Sequence, residues 1–218
     1  MKKIYAVLSA TPTQIGRMIR TLTGSSYNHA SISLTRDFSE MYSFARFHAH
    51  NPFIGGFIRE FPQRLTLGKD KEVQIKVFAI PVTDSQYTKI KEFIYKIRDD
   101  EERYLYNSLA VLGHPFGMGY HTYKAYVCTD FVIKALLCGD ISIKEGSMLT
   151  PMTPGEMERI LDPSLIYSGS LQNYDPAPIY DPYLVREFFR KYALHKEALR
   201  VIGYFYSLFR RSMKGDHA

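Results

Sequence analysis

Cys128 opens the most apolar helical stretch of the chain, Val127-Cys128-Thr129-Asp130-Phe131-Val132-Ile133-Lys134-Ala135-Leu136-Leu137. A thiol at a helix N-terminus faces unpaired backbone N–H groups and the positive end of the helix dipole, which favour a thiolate. The same N–H groups can hold an oxyanion. A nucleophilic thiol also needs a proton acceptor. His29 is of the right type, and it opens a strand directly after the Gly24–Asn28 loop. A Cys on a helix end beside a His on a strand would do acyl-transfer chemistry of the papain type. From the residues alone, Cys128 also fits a small buried hydrophobe, and His29 a hydrogen-bonded strand end. Spacing by itself does not make the dyad.

The elements that must position these groups follow from periodicity. Residues 3–9 read as a buried strand, and Thr11 or Thr13 can cap a helix running to about Leu22. Residues 29–35 alternate as a strand, Arg36 to Ser39 turn, and Glu40 to Arg46 return, which predicts a hairpin. Gly55-Gly56 should interrupt the next segment. Residues 72–82 alternate again, and a helix should follow from Thr83 to about Arg98. Further helices are expected over 106–112, 126–137 and from Thr153, and a strand over 165–169. A Pro-rich linker at 173–183 should lead into one long basic helix from Pro182 to Met213. The expected class is α+β, a mostly antiparallel sheet packed against helices. The expected units are residues 1–172, carrying the chemistry, and 173–218, the linker and helix.

Four segments resemble the NlpC/P60 superfamily of papain-like cysteine hydrolases. Tyr27-Asn28-His29-Ala30-Ser31-Ile32-Ser33-Leu34 is similar to its His-bearing strand. Ala125-Tyr126-Val127-Cys128-Thr129-Asp130-Phe131-Val132 resembles its Cys helix start. Tyr104-Leu105-Tyr106-Asn107 and Met152-Thr153-Pro154-Gly155-Glu156-Met157 resemble segments before and after that helix. His precedes Cys here, the order of the circularly permuted branch, and the resemblance spans roughly residues 3–170. It implies a permuted papain-like fold with Cys128 as nucleophile and His29 as base. It also implies a third polar residue on the strand after the His strand. Hairpin alignment puts Ser43 there, where permuted members often carry Glu. A hydroxyl orients a His but stabilises imidazolium less than a carboxylate does, so Glu40 and Asn51 are possible substitutes. The family also uses a Tyr near the substrate or oxyanion, for which Tyr126, Tyr5 and Tyr27 are candidates.

Composition bounds the alternatives. The chain has 218 residues, 45% hydrophobic and 14% aromatic, with two cysteines and a formal net charge of +6. That excludes a disordered chain and a disulfide scaffold. No apolar run approaches the roughly 18 residues of a bilayer span. Met1 to Ala10 reads as a strand rather than a signal peptide, so a cytoplasmic protein with reduced thiols is expected. His48 and His50, and His114 and His121, lack zinc-site spacing, and Gly113 to Gly119 lacks a P-loop ending. No metal or cofactor is expected. The Gly-rich loop would instead line the cleft beside Cys128.

The positive charge is local. Residues 186–214 hold eight basic and two acidic residues, while residues 1–185 are nearly balanced. No nucleic-acid recognition motif accompanies it. The apolar side of the basic helix, including Phe188, Leu199, Ile202, Leu208 and Phe209, is expected to pack on the domain with its charges solvated. Peripheral contact with an anionic membrane is the alternative. Together these features point to a thiol hydrolase or acyltransferase acting on a peptide, amide or lipid-like substrate. The competing expectation is a non-catalytic lipid- or peptide-binding module that keeps the fold.

Overall fold

The computed structural model describes residues 1–68, 72–113, 122–143, 152–175 and 182–213. Its frame is an eight-stranded sheet. The strands are β1 (Lys2–Ser9), β2 (His29–Ser33), β3 (Met41–His48), β4 (Asn51–Arg59), β5 (Gln74–Val82), β6 (Leu105–Tyr106), β7 (Ala125–Tyr126) and β8 (Leu165–Ser170). They lie in the order β7-β6-β4-β3-β2-β1-β5-β8. Every pairing is antiparallel except β6 with β7. The architecture is therefore α+β, as the grouped strands and the hairpin foretold.

Period-2 alternation sends β1 side chains to two cores. Ile4, Ala6 and Leu8 face α3 (Asp84–Arg98) and α5 (Cys128–Cys138), and join Ile90, Ile94, Phe131 and Leu136 in the larger cluster. Val7 faces the other side, with Met41, Leu65, Ile75 and Val77. Sealing both faces of its middle strands makes this sheet a rigid mount for residues at strand ends.

Local chemistry sets the helix limits. Thr13 caps α1 (Gln14–Thr23), accepting from the Gly16 amide at 2.7 Å, and Gly24 ends it with a left-handed φ of 63°. Thr83 caps α3 in a reciprocal box with Gln86. Thr153 does the same with Glu156 at α6 (Pro154–Leu161). Such boxes satisfy donors that the first turn leaves open. The remaining short helices are α2 (Pro62–Thr66) and α4 (Ser108–Gly113).

Two expectations fail here. Gly55 and Gly56 do not interrupt a segment; β4 runs through both. A Cβ on Gly55 would lie 2.3 Å from the Ala45 carbonyl oxygen, and one on Gly56 would lie 2.8 Å from that of Tyr104. The glycines let three backbones approach closely, a strand role rather than a breaking one.

The terminal basic segment is two helices, α7 (Pro182–Phe188) and α8 (Leu194–Ser212), not one. The carbonyls of Glu187 and Phe188 bond His48 Nδ1 at 3.0 Å and the Ala49 amide at 2.9 Å. The β3–β4 turn thus meets the last carbonyls of α7, and the Glu187 carbonyl also accepts from the Arg190 amide at 3.3 Å in a tighter closing turn. The segment set apart by sequence also packs into the sheet. Tyr204 and Leu208 of α8 are buried with Ile54 and Ala125, and the Tyr204 hydroxyl donates to Gly55 O at 3.0 Å. Leu199, Ile202, Tyr206, Phe209 and Met213 instead point outward, 58–70% exposed. No helix among the described residues is long and apolar enough to cross a membrane.

Candidate functional site

Cys128 is the first residue of α5. Val127 before it is extended and offers no capping side chain. The first-turn amides are thus open toward the thiol's side of the helix, and Asp130 complements the dipole from within that turn. α5 lies across β2 and β3, and β7 delivers the chain to it from beside β6. Cys128 is buried, only 8% exposed.

His29 starts β2, opposite Ser9 of β1. Its neighbour Asn28 is clamped. Asn28 Oδ1 accepts from the Thr11 amide at 2.8 Å, and Nδ2 donates to the Thr11 hydroxyl at 2.9 Å. α1 closes so tightly on this amide that a Cβ on Gly16 would sit 1.6 Å from Asn28 Nδ2. The strand end carrying the imidazole is therefore held by side chains as well as by the sheet.

The imidazole Nε2 lies 2.7 Å from Glu60 Oε2 and 3.4 Å from the Ser31 hydroxyl. Cys128 is a near neighbour of the ring, close enough to act on its protonation. Glu60 is itself buried, and its Oε1 accepts from Arg64 Nε at 2.8 Å, one helical turn on in α2. The result is a hydrogen-bonded row His29–Glu60–Arg64, with Cys128 beside its imidazole end. Burial works against the imidazolium, but the contacts with Cys128 and Glu60 outweigh it and push His29 up to about 9. Burial likewise opposes the Glu60 carboxylate. The Arg64 and His29 charges overcome it and hold the group below its ordinary value.

The third residue is not where hairpin alignment put it. Ser43 is buried, and its hydroxyl donates to the Ala30 carbonyl at 2.6 Å. Neither substitute reaches His29 either. Glu40 accepts from the Tyr95 hydroxyl at 3.2 Å. Asn51 donates to Glu197 of α8 and accepts from the Phe53 amide at 3.0 Å. The carboxylate comes instead from Glu60, just beyond β4, whose amide still bonds Met41 O at 2.8 Å. A signal was present in Arg59-Glu60-Phe61-Pro62-Gln63-Arg64. An acid in the inward phase of a strand stands four residues before an Arg, with Pro62 opening the helix between them.

Of the tyrosines, Tyr126 packs edge-on against Phe44 and stacks on Tyr104. Tyr5 joins the second core, and Tyr27 lies near Lys76 and Glu158. Tyr106, missed as a site residue, lines the cleft on both sides of the dyad. Burial first, then the neighbouring Cys128 sulfur, hold its phenol well above the ordinary range. It is a neutral O–H donor at any working pH. The α8 residue Tyr204 donates to the Tyr106 carbonyl, so the terminal helix helps to place it.

The cleft has two lobes that share Ile19, Asn28, Tyr106 and Val111. The lobe beside His29 encloses about 110 Å³ and includes Thr13, Arg46, Glu60, Arg64 and Phe188. The lobe beside Cys128 encloses about 70 Å³ and is apolar, walled by Met18, Val127, Met152 and Pro154. His114, His121 and most of the Gly-rich loop expected to line the cleft lie outside the described residues. His50 is exposed, and His48 is tied to the Glu187 carbonyl. No group of three or more His, Cys, Asp or Glu that could hold a metal occurs among the described residues.

A scan against protein-family models and a search of the curated proteins both return no match. The site must be judged on its own geometry. A helix-end thiol, an imidazole beside it and a carboxylate behind the imidazole make an arrangement able to perform nucleophilic acyl transfer.

Proposed function

We propose that the protein is a thiol-dependent hydrolase or acyltransferase acting on an amide or ester bond, on a permuted papain-like scaffold of the NlpC/P60 kind. The observation that carries this reading is His29 held by the buried Glu60 at 2.7 Å and lying beside Cys128 at the head of α5. Two core residues would not need a buried carboxylate and arginine behind them. Burying those charges has a cost of several kcal/mol per ion before pairing.

The Cys128 thiolate attacks the substrate carbonyl carbon while the proton rests on His29. The C=O π pair moves onto oxygen, which accepts from the Cys128 amide and the Tyr106 hydroxyl. The tetrahedral adduct collapses and the C–N or C–O bond breaks. His29 gives its proton to the leaving amine or alcohol, and a thioester remains. Water or another acceptor, deprotonated by His29, attacks the thioester and regenerates the thiolate. Glu60 holds the ring tautomer and stabilises the imidazolium without taking its proton.

The non-catalytic alternative rested on a serine standing where a carboxylate was wanted. Glu60 supplies that carboxylate, so the catalytic reading is the better supported. The test is turnover of p-nitrophenyl hexanoate and of acyl-amide probes by the wild type and by Cys128→Ala. Loss of turnover in the variant is expected. Equal rates in both would reject the proposal.

A further inference from the structure

The two cleft lobes differ in charge. In the lobe beside His29, Arg64 is engaged by Glu60 Oε1 at 2.8 Å, and its other side lies on the Phe188 ring at 4.4 Å. Arg46 is different. Its guanidinium lies over the Phe188 ring at 5.9 Å, makes one hydrogen bond among the described residues, a long one from Nη1 to Ala49 O at 3.4 Å, and pairs with no described carboxylate. In the active ion pair Cys128 and His29 cancel, and so do Glu60 and Arg64. Arg46 is then the uncompensated cation of the cleft. Burial, and then repulsion from Arg64, bring Arg46 down to about 10, so it stays charged near neutrality. An anion in this lobe would relieve that repulsion.

Chemistry fixes which half of the substrate lies there. His29 protonates the leaving group, so the leaving group must occupy the His29 lobe and the acyl group the apolar lobe beside Cys128. We propose that Arg46 binds a carboxylate on the leaving group, so that the substrates are apolar acyl amides or esters of a carboxylate-bearing amine or alcohol. A planar guanidinium grips one carboxylate in a two-point bond that an amide cannot reproduce. The substrate class rests on the catalytic reading above, but binding can be measured without catalysis.

The test titrates N-hexanoylglycine and N-hexanoylglycinamide into the full chain carrying Cys128→Ala, by calorimetry. The acid should bind at least about 10-fold more tightly than the amide. Arg46→Gln on the same background should bring the two within about twofold, and Arg46→Lys should keep part of the preference. Thermal melts of both variants establish that they fold. Equal binding of the two probes, a preference surviving Arg46→Gln, or no binding of the acid at millimolar concentration would each overturn the proposal. Selective binding without any Cys128-dependent ester turnover keeps the subsite and removes the enzyme. Turnover without selectivity does the reverse.

A separate observation concerns α8. Leu199, Ile202, Tyr206, Phe209 and Met213 follow a 3-4-3-4 spacing, so they form one stripe opposite the buried Tyr204 and Leu208. Lys196 and Arg210 lie beside that stripe on one flank, as does Arg200, which is paired with Glu197 at 3.5 Å. A second copy would bring like charges together, whereas an anionic lipid surface would complement them. We infer that α8 seats this stripe on anionic membranes. Full-length protein should sediment with vesicles of phosphatidylcholine and phosphatidylglycerol, less with phosphatidylcholine alone, and less in high salt. The triple variant Leu199→Ser, Ile202→Ser and Phe209→Ser should lose this while keeping its melting temperature. No sedimentation, or sedimentation unchanged by the variant, would refute the inference. So would a dimer in light scattering that the variant dissolves.

Discussion

The two cysteines of the chain stand at opposite ends of one helix, and their surroundings are opposite too. Cys128, at the N-terminus of α5, is buried against His29 where the helix amides are open. Cys138, at the C-terminus, is exposed and lies at the negative end of the helix dipole. Desolvation of its partly covered side chain, and then the Asp140 carboxylate, push its thiol above the ordinary value despite Lys134. Identical side chains ten residues apart therefore have different surroundings, set by dipole polarity and by one imidazole. The exposed thiol is the easier to reach, and in the proposed mechanism it is the poorer nucleophile.

The strongest way to break the comparison is to remove each sulfur in turn. Cys128→Ala should lower kcat/KM on an acyl ester by about a thousandfold or more, whereas Cys138→Ala should stay within about twofold. Steady-state kinetics on purified variants decide it, and comparable losses would dissolve the distinction. Next in size is the carboxylate. Glu60→Gln should lower kcat/KM by about 10²–10⁴-fold, since the imidazolium loses its counter-charge and its orientation. It should also move the pH profile. In the wild type, activity should fall as pH rises through about 9, where His29 gives up its proton. In Glu60→Gln that limb should shift toward the ordinary histidine value near 6.5. An unmoved limb would deny Glu60 its role.

Stability gives an independent reading of the same pair. Glu60→Ala leaves Arg64 and His29 buried without their anion, which should cost about 3–5 kcal/mol in urea unfolding. The raised His29 value means its contribution to stability is full below pH 6.5 and disappears as pH rises through about 9. The lowered Glu60 value means the opposite limb, with stability lost as pH falls below the ordinary carboxylate range. Melting temperatures across pH should show both limbs, and Glu60→Gln should flatten them. The smallest effect is expected at Tyr106. Tyr106→Phe removes the proposed second oxyanion donor and should lower kcat by about 10²-fold with KM little changed.

Periodicity and caps made the helices and the first hairpin legible, because Thr13, Thr83 and Thr153 announce their helices locally. The candidate pair Cys128 and His29 came from the resemblance of four short segments, because placement at a helix head and a strand end does not by itself distinguish a dyad from two core residues. Glu60 was not legible. Its role depends on how β4 returns beside β3, and the family analogy pointed to Ser43, one strand too early. The glycines misled for a similar reason: Gly55 and Gly56 have the composition of a break, but their purpose is visible only once Ala45 and Tyr104 are seen against them. The helix break at 189–193 was hidden because the groups that meet the last carbonyls of α7, His48 and the Ala49 amide, are distant in sequence.

The central claim is that Cys128 is activated by His29. The direct measurement is the rate of iodoacetamide labelling of each thiol, followed by mass spectrometry of the two peptides at pH 6–7. Cys128 should label much faster than Cys138 despite being the more buried, and His29→Ala should remove most of that difference. Equal, slow labelling of both thiols in the wild type, or an advantage untouched by His29→Ala, would contradict the account.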